Sequence, residues 1–390
     1  MFIRNIMNLL FTVTVMLAID EFNPLLAKSK SDFHHLYIEN SALIPLEEKI
    51  AQMLIVGFSG DIISLEVKSY IQDYKIGGVI LFSNKSQFRE SNITSSNQLI
   101  KLIKELKNLS SISLLISLDQ EGGKVAKLNK NNGFSNLRLP SHQQLAQYDN
   151  SYLYQSIYSM AKELKSLGFD IKFAPVVDVN VNFENPVIGK LERSFSANPL
   201  EVASKAAIFI KAQKDAEIIP VIKHFPGHGS SKEDSHLGFT EVTNTYQEDI
   251  ELEPYKILIN SGYDNPIMIS HIFNKHMDDK YPASLSYNII TGLLKNKLGF
   301  KGLIITDDLK MGAITRHYSL KDTLILAINA GSDMLIYGNN IGEYNPTFVK
   351  DAVEIIKKAI AKGELSIDKI NESYLKIMET KYKILNKSRG

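Results

Sequence analysis

Short apolar runs of the buried-strand type recur along the chain, each followed by a stretch of helical periodicity. This alternation limits the fold more than any other feature. The runs fall at residues 53–57, 78–82, 114–118, 171–177, 218–222, 267–269, 303–306 and 334–337. A strand that is apolar on both faces belongs in a parallel sheet covered by helices. Apolar residues recur at helical spacing over 97–109, 152–167, 200–216, 248–261, 285–298 and 320–330, and again over 348–361 and 367–385. Eight β-α units in series predict an α/β chain folded as a single (β/α)8 TIM-type barrel, with a doubly wound open sheet as the alternative. No low-complexity linker divides the chain after about residue 41, so residues 45–390 are expected to form one barrel with C-terminal helices.

The N-terminus reads differently. Arg4 precedes an apolar run at 9–19, and Ala27 is a small residue before polar sequence. The run is shorter than the roughly 20 residues needed to span a bilayer, so residues 1–27 are expected to be a signal peptide and 28–44 an extension. Export to a periplasm or the exterior follows, with no membrane span after cleavage. The chain has no Cys, which removes thiol nucleophiles, thiolate metal sites, disulfides and a lipid-modified N-terminal cysteine. The formal net charge is +1, with Lys and Arg spread along the chain, which argues against a nucleic-acid partner and for a small neutral one. Trp is absent too, so any stacking on a ligand falls to the 17 Tyr and 18 Phe.

Polar residues collect where the apolar runs end. Residues 114–118 lead into Asp119-Gln120-Glu121-Gly122-Gly123, 171–177 into Asp178 and Asn180, 218–222 into Lys223-His224, 267–269 into Ser270-His271, and 303–306 into Asp307-Asp308. An Asp after a strand is most often a turn or cap residue. Five such ends together predict a polar pocket, because a parallel barrel gathers them on one rim.

The densest segment is Lys223-His224-Phe225-Pro226-Gly227-His228-Gly229, followed by Asp234-Ser235-His236. Pro and Gly set a tight turn directly after a strand. A carboxylate two residues from an imidazole can fix its tautomer and raise its basicity, making Asp234 and His236 a candidate proton-transfer pair. Metal ligation by the His cluster is a competing reading. His224 and His228 would need a helix to share a face, and Pro226-Gly227 between them opposes one, so neither a metal nor a cofactor is expected. A cluster of structural histidines, or a saccharide-binding protein without catalysis, are the other readings.

At this point the motifs resemble those of β-N-acetylhexosaminidases of glycoside hydrolase family 3, the NagZ-like branch. The segment from Lys223 to His236 is similar to that family's signature. Asp119-Gln120-Glu121-Gly122-Gly123-Lys124-Val125, Ala174-Pro175-Val176-Val177-Asp178-Val179, Asn185-Pro186-Val187-Ile188-Gly189 with Arg193-Ser194-Phe195, and Thr306-Asp307-Asp308-Leu309-Lys310-Met311 resemble its other motifs in order. Lys124 and Lys127 stand where arginines are common. The resemblance implies a retaining exo-β-N-acetylglucosaminidase acting on peptidoglycan fragments or chito-oligosaccharides through a covalent glycosyl-enzyme. It implies Asp307 as nucleophile, His236 as general acid/base with Asp234 as partner, and Asp119, Arg193, Lys223 and His224 as ligands of the terminal sugar's hydroxyls. Asp308 is a rival nucleophile, disfavoured because it would point to the opposite side of an extended chain. A β-glucosidase or β-xylosidase of the same family is the alternative substrate class; those branches place their acid/base in a further domain.

Overall fold

The computed structural model describes residues 41–83, 90–134, 137–235 and 238–387. The expected signal peptide, most of the 28–44 extension, and His236 lie outside them. The strands, in chain order, are β1 (Leu54–Val56), β2 (Gly78–Ile80), β3 (Leu115–Leu118), β4 (Ile171–Lys172), β5, β6 (Ile267–Ile269), β7 (Ile304–Thr306) and β8 (Leu335–Tyr337). Strand β5 is in two segments, Ile219–Pro220 and Ile222–Phe225. All pairings among these strands are parallel, and each apolar run of the sequence holds one of them.

Closure is visible in the pairing. One sheet runs β8-β1-β2-β3-β4 to the first segment of β5, and the second runs from the other segment of β5 through β6 to β7. A parallel bridge between Ile305 and Met334 joins β7 to the residue before β8 and completes the ring. The open-sheet alternative is thereby removed. One feature departs from the sequence reading: the fifth strand continues through Lys223 and His224 to Phe225, so these two residues are part of the wall of the barrel and do not follow it.

The longer helices are α1 (Leu46–Gln52), α2 (Leu65–Gln72), α3 (Ser96–Leu109), α4 (Asn150–Leu167), α5 (Pro199–Asp215), α6 (Glu253–Asn260), α7 (Asn288–Lys297, wound as a π-helix), α8 (Leu320–Ala330), α9 (Phe348–Ala361) and α10 (Ile367–Lys387). Their starts are chemically marked. Asp149 accepts from the Tyr152 N–H at 2.8 Å, Ser319 from Asp322, and Asn198 from Leu200 with Pro199 opening α5. Each satisfies an amide that the first turn leaves without a partner. Helix α2 was not expected; it is only eight residues long, too short for its periodicity to stand out.

A continuous apolar core fills the barrel and the layer between strands and helices. Helix α10 returns to α1, where buried Lys381 donates to Gln52 Oε1 at 2.6 Å and Gln52 donates to the carbonyl of Lys75. Burial lowers the Lys381 ammonium to about 7. Among the described residues no helix is long and apolar enough to cross a membrane.

Candidate active site

The site begins with a buried carboxylate. After β3 the chain makes a small antiparallel hairpin, Gln120–Gly122 against Val125–Ala126, pinned by the Gln120 side chain to both backbone groups of Leu128. This turns Glu121 inward, where it is fully buried. Its two oxygens accept a bidentate pair of bonds from Arg193, both at 2.8 Å, and Lys223 Nζ lies 2.7 Å from Oε1. Lys223 also donates to Asp119 Oδ1 at 2.7 Å. Burial alone would raise the Glu121 carboxyl, but Arg193 and Lys223 hold it well below the usual carboxylate range. Burial would likewise lower Lys223, and Asp119 and Glu121 lift it above the ordinary lysine value. The four groups form one compensated network. Removing one member of such a network would leave an uncompensated buried charge, which typically costs about 3–5 kcal/mol.

A second pair orients the imidazole. Asp178, fully buried at the end of the fourth strand region, lies 2.6 Å from His224 Nδ1. It also accepts the backbone N–H groups of His224 and His228. Burial works against its charge, yet His224 and these donors hold its carboxyl below the usual value. With Nδ1 donating to Asp178, His224 Nε2 is left to face Arg193 Nη2 at 3.3 Å. The ring is therefore fixed from both sides.

The β5–α6 loop is bolted to this base. The Lys223–His224 and Phe225–Pro226 peptide bonds are cis. Asn185 donates to the carbonyls of His228 and Gly229 and accepts from Val187 and Ile188, tying the loop that carries Arg193 to the turn after β5. His228 is buried between Ser231 (2.9 Å from Nδ1) and Ser235 (3.1 Å from Nε2). Burial lowers its pKa to about 4. Glu251 receives the Ser230 and Gln247 amides, and burial raises its carboxyl to about 7. The Ser235 carbonyl in turn accepts from the Ala313 N–H of the short helix Gly312–Thr315 after β7.

At the end of β7, the Asp307 N–H donates to the Ile269 carbonyl, and Asp307 Oδ1 caps the next amide at 2.7 Å. Asp307 is half-buried and Asp308 is buried. The Asp308 carboxylate accepts from the Gly338 N–H at 2.8 Å and the Lys310 N–H at 3.0 Å. Its carbonyl meets His271 Nε2 at 2.9 Å, and His271 Nδ1 meets Ser284. Asp308 thus ties the backbone just after β7 to the residue that follows β8, and Asp307 stands beside it directly at the end of β7.

The structure therefore brings Asp119, Arg193, Lys223 and His224 into one hydrogen-bonded group, with Asp307 two strands round the same rim. Asp234 stands half-buried on the β5–α6 loop, where its carbonyl accepts from Gly238. Its expected partner His236 lies outside the described residues. Two members were missed by sequence reasoning as site residues, Glu121 and Asp178. Both stood inside the motifs, but their roles depend on partners 72 and 46 positions away. Lys124 reaches the Lys190 carbonyl and Lys127 lies 5.8 Å from the Phe82 ring, so neither enters the group. Among the described residues, no three His, Asp or Glu side chains are placed to hold a metal ion. The arrangement presents paired donors and acceptors of both signs on a rigid base, suited to a neutral polyhydroxyl ligand.

Comparison with known proteins places the whole barrel in one family. Residues 45–380 match the glycosyl hydrolase family 3 N-terminal domain. A relative named β-hexosaminidase A from Pseudoalteromonas piscicida is 31% identical over 344 residues, covering 82% of this chain and 55% of its own length. A β-hexosaminidase of Shewanella frigidimarina is 34% identical over 294 residues, covering 74% of this chain and 82% of its own. Among solved structures, a family 3 β-N-acetylglucosaminidase from a Paenibacillus species superposes with a TM-score of 0.78 at 30% identity, covering 87% of this chain and 63% of that one. The chain thus spans little more than half of one curated relative and most of another. It belongs to glycosyl hydrolase family 3, and the relatives it resembles are β-hexosaminidases of that family.

Proposed function

We propose that the chain is a retaining exo-β-N-acetylglucosaminidase that removes terminal β-linked N-acetylglucosamine from peptidoglycan-derived or chitin-derived saccharides. The observation that carries this reading is the rim itself. A compensated group of Asp119, Glu121, Arg193, Lys223 and His224 lies at the strand ends of the barrel, with Asp307 at the end of β7 two strands round and its neighbour Asp308 bonded to the backbone at 310 and 338. The charged group binds the sugar's hydroxyls and fixes its anomeric carbon near Asp307. Asp307 attacks that carbon, the glycosidic bond breaks, and the leaving oxygen takes a proton from His236. Water then gives its proton to His236 and releases the sugar from Asp307. Asp234 orients His236 for both transfers. The names of the β-hexosaminidase relatives support an acetamido sugar over glucose or xylose. The apolar run at 9–19 supports export as part of the same proposal.

The test is Asp307→Ala assayed on an aryl N-acetyl-β-glucosaminide. Loss of a covalent nucleophile is expected to lower kcat by at least about 1,000-fold. Retention of more than a tenth of wild-type turnover would reject Asp307 as nucleophile.

A further inference from the structure

The aromatic residues that the chain keeps in the absence of Trp are placed unevenly, and several lead away from the catalytic rim. Phe239 follows directly on the loop that carries Asp234 and is partly exposed. That segment is fixed: Thr240–Glu241 pairs in parallel with Ile272–Phe273, and Phe239 packs 5.0 Å from the Phe273 ring. His317, exposed on the loop after β7, meets Phe239 edge-on at 5.4 Å. The next residue, Tyr318, donates to the Lys280 carbonyl, and its ring lies 6.4 Å from that of Tyr281.

From there two concavities, of about 410 and 450 Å³, adjoin along the outer flank of α8 and share Tyr281 and Leu326. The first is floored by Tyr281, Tyr318, Ile325 and Leu326; the second adds Tyr287, Asn288 and Asn329. Tyr287, 54% exposed, lines the second concavity. The charged lining is nearly balanced, with Asp278, Asp279, Asp322 and Glu364 against Lys280, Lys321 and Lys369. Such balance disfavours a polyanion, and the breaks between rings disfavour a continuous apolar helix. Tyrosine rings set among carboxylates and amides, with Lys369 Nζ 5.9 Å from the Tyr287 ring, match a ligand with apolar ring faces and hydroxyl edges.

We infer that this track, Phe239–His317–Tyr318–Tyr281–Tyr287, holds the leaving-side portion of a long neutral β-linked saccharide while its terminal sugar occupies the site at the rim. The inference rests on the glycosidase reading and adds to it a preference for chain length. Sugar units beyond the cleaved bond stack on the tyrosines, so longer substrates gain kcat/KM through residues that an aryl glycoside never touches.

The test compares the wild type with a Tyr281→Ala/Tyr318→Ala double variant on two substrates, an aryl N-acetyl-β-glucosaminide and chitohexaose. The double variant is expected to lose about tenfold in kcat/KM on the hexamer, equivalent to about 1.4 kcal/mol, and less than twofold on the aryl glycoside. Equal kcat/KM ratios on both substrates would overturn the inference. If the double variant loses both activities through misfolding, the exposed single variant Tyr287→Ala decides: a several-fold loss confined to the hexamer supports the track, and no change overturns it. If the wild type fails to cleave the aryl glycoside, the glycosidase reading fails, and calorimetric binding of chitohexaose then tests the track alone. Weaker binding by the double variant supports it, and unchanged or absent binding in both proteins overturns it. Preference for a charged peptide of similar length would also overturn it.

Discussion

Buried titratable residues near the site contribute to the protein's response to acid. His142 lies beneath the Glu121 group, stacked 5.2 Å from Phe209 and edge-on to Phe195 at 4.5 Å. Lys172 shares this layer, with its ammonium 4.2 Å from the Phe209 ring and its pKa pushed well down by burial. Burial lowers His142 to about 3, as it lowers His228 to about 4. Both are neutral in the folded chain at pH values where an unfolded histidine would take a proton. The unfolded state then binds more protons, so stability falls as pH drops from about 6.5 toward 4. For His228 the loss is on the order of 3 kcal/mol, and for His142 somewhat more. Glu251 works in the opposite sense: raised to about 7, it is protonated in the folded state, and its contribution is lost as pH rises from 4.5 through 7. His142→Phe keeps the ring stack and removes one acid-labile group. Thermal unfolding between pH 4 and 7 is expected to show a shallower acid limb in this variant, and an unchanged limb would reject the neutral buried assignment.

At the scale of elements, the turn after β5 is held by close backbone approach. A Cβ on Gly229 would sit 1.7 Å from the Val179 carbonyl oxygen, and one on Gly227, at φ +134°, 2.7 Å from Glu251 Cβ. Neither neighbour can yield without moving the backbone that follows β4 or the short helix Glu248–Glu251 that precedes α6. Gly229→Ala is therefore expected to cost about 2 kcal/mol or more by displacing the loop from Asn185, and to reduce kcat more than it raises KM. Wild-type stability and kcat together would contradict this. The same turn shows what sequence could reveal. Pro226, Gly227 and Gly229 announced a tight turn after a strand. That Lys223 and His224 belong to the strand was hidden, because a run containing Lys and His does not read as a buried strand. Only the partners Glu121, Asp119 and Asp178 make those residues tolerable in the wall. Helix α2 was hidden for a simpler reason, being two turns long with an exposed Leu65 at its start.

For the whole molecule, eight apolar runs were enough to count the strands, since each strand is buried on both faces and most of its residues are apolar. Closure was not legible, because it depends on β8 returning to β1 and on a bridge from Ile305 to Met334. The barrel's value to the site is that it draws residues from 119 to 307 onto one rim with few degrees of freedom. The proposed function predicts a strong preference for an acetamido sugar. The most direct measurement is kcat/KM of the wild-type chain on a panel of aryl β-glycosides that differ only at the 2-position and in the sugar. The predicted result is efficient turnover of the N-acetylglucosaminide, with the glucoside and xyloside slower by about 100-fold or more, equivalent to about 2.7 kcal/mol. Equal turnover of the three, or a preference for the glucoside or xyloside, would contradict the assignment.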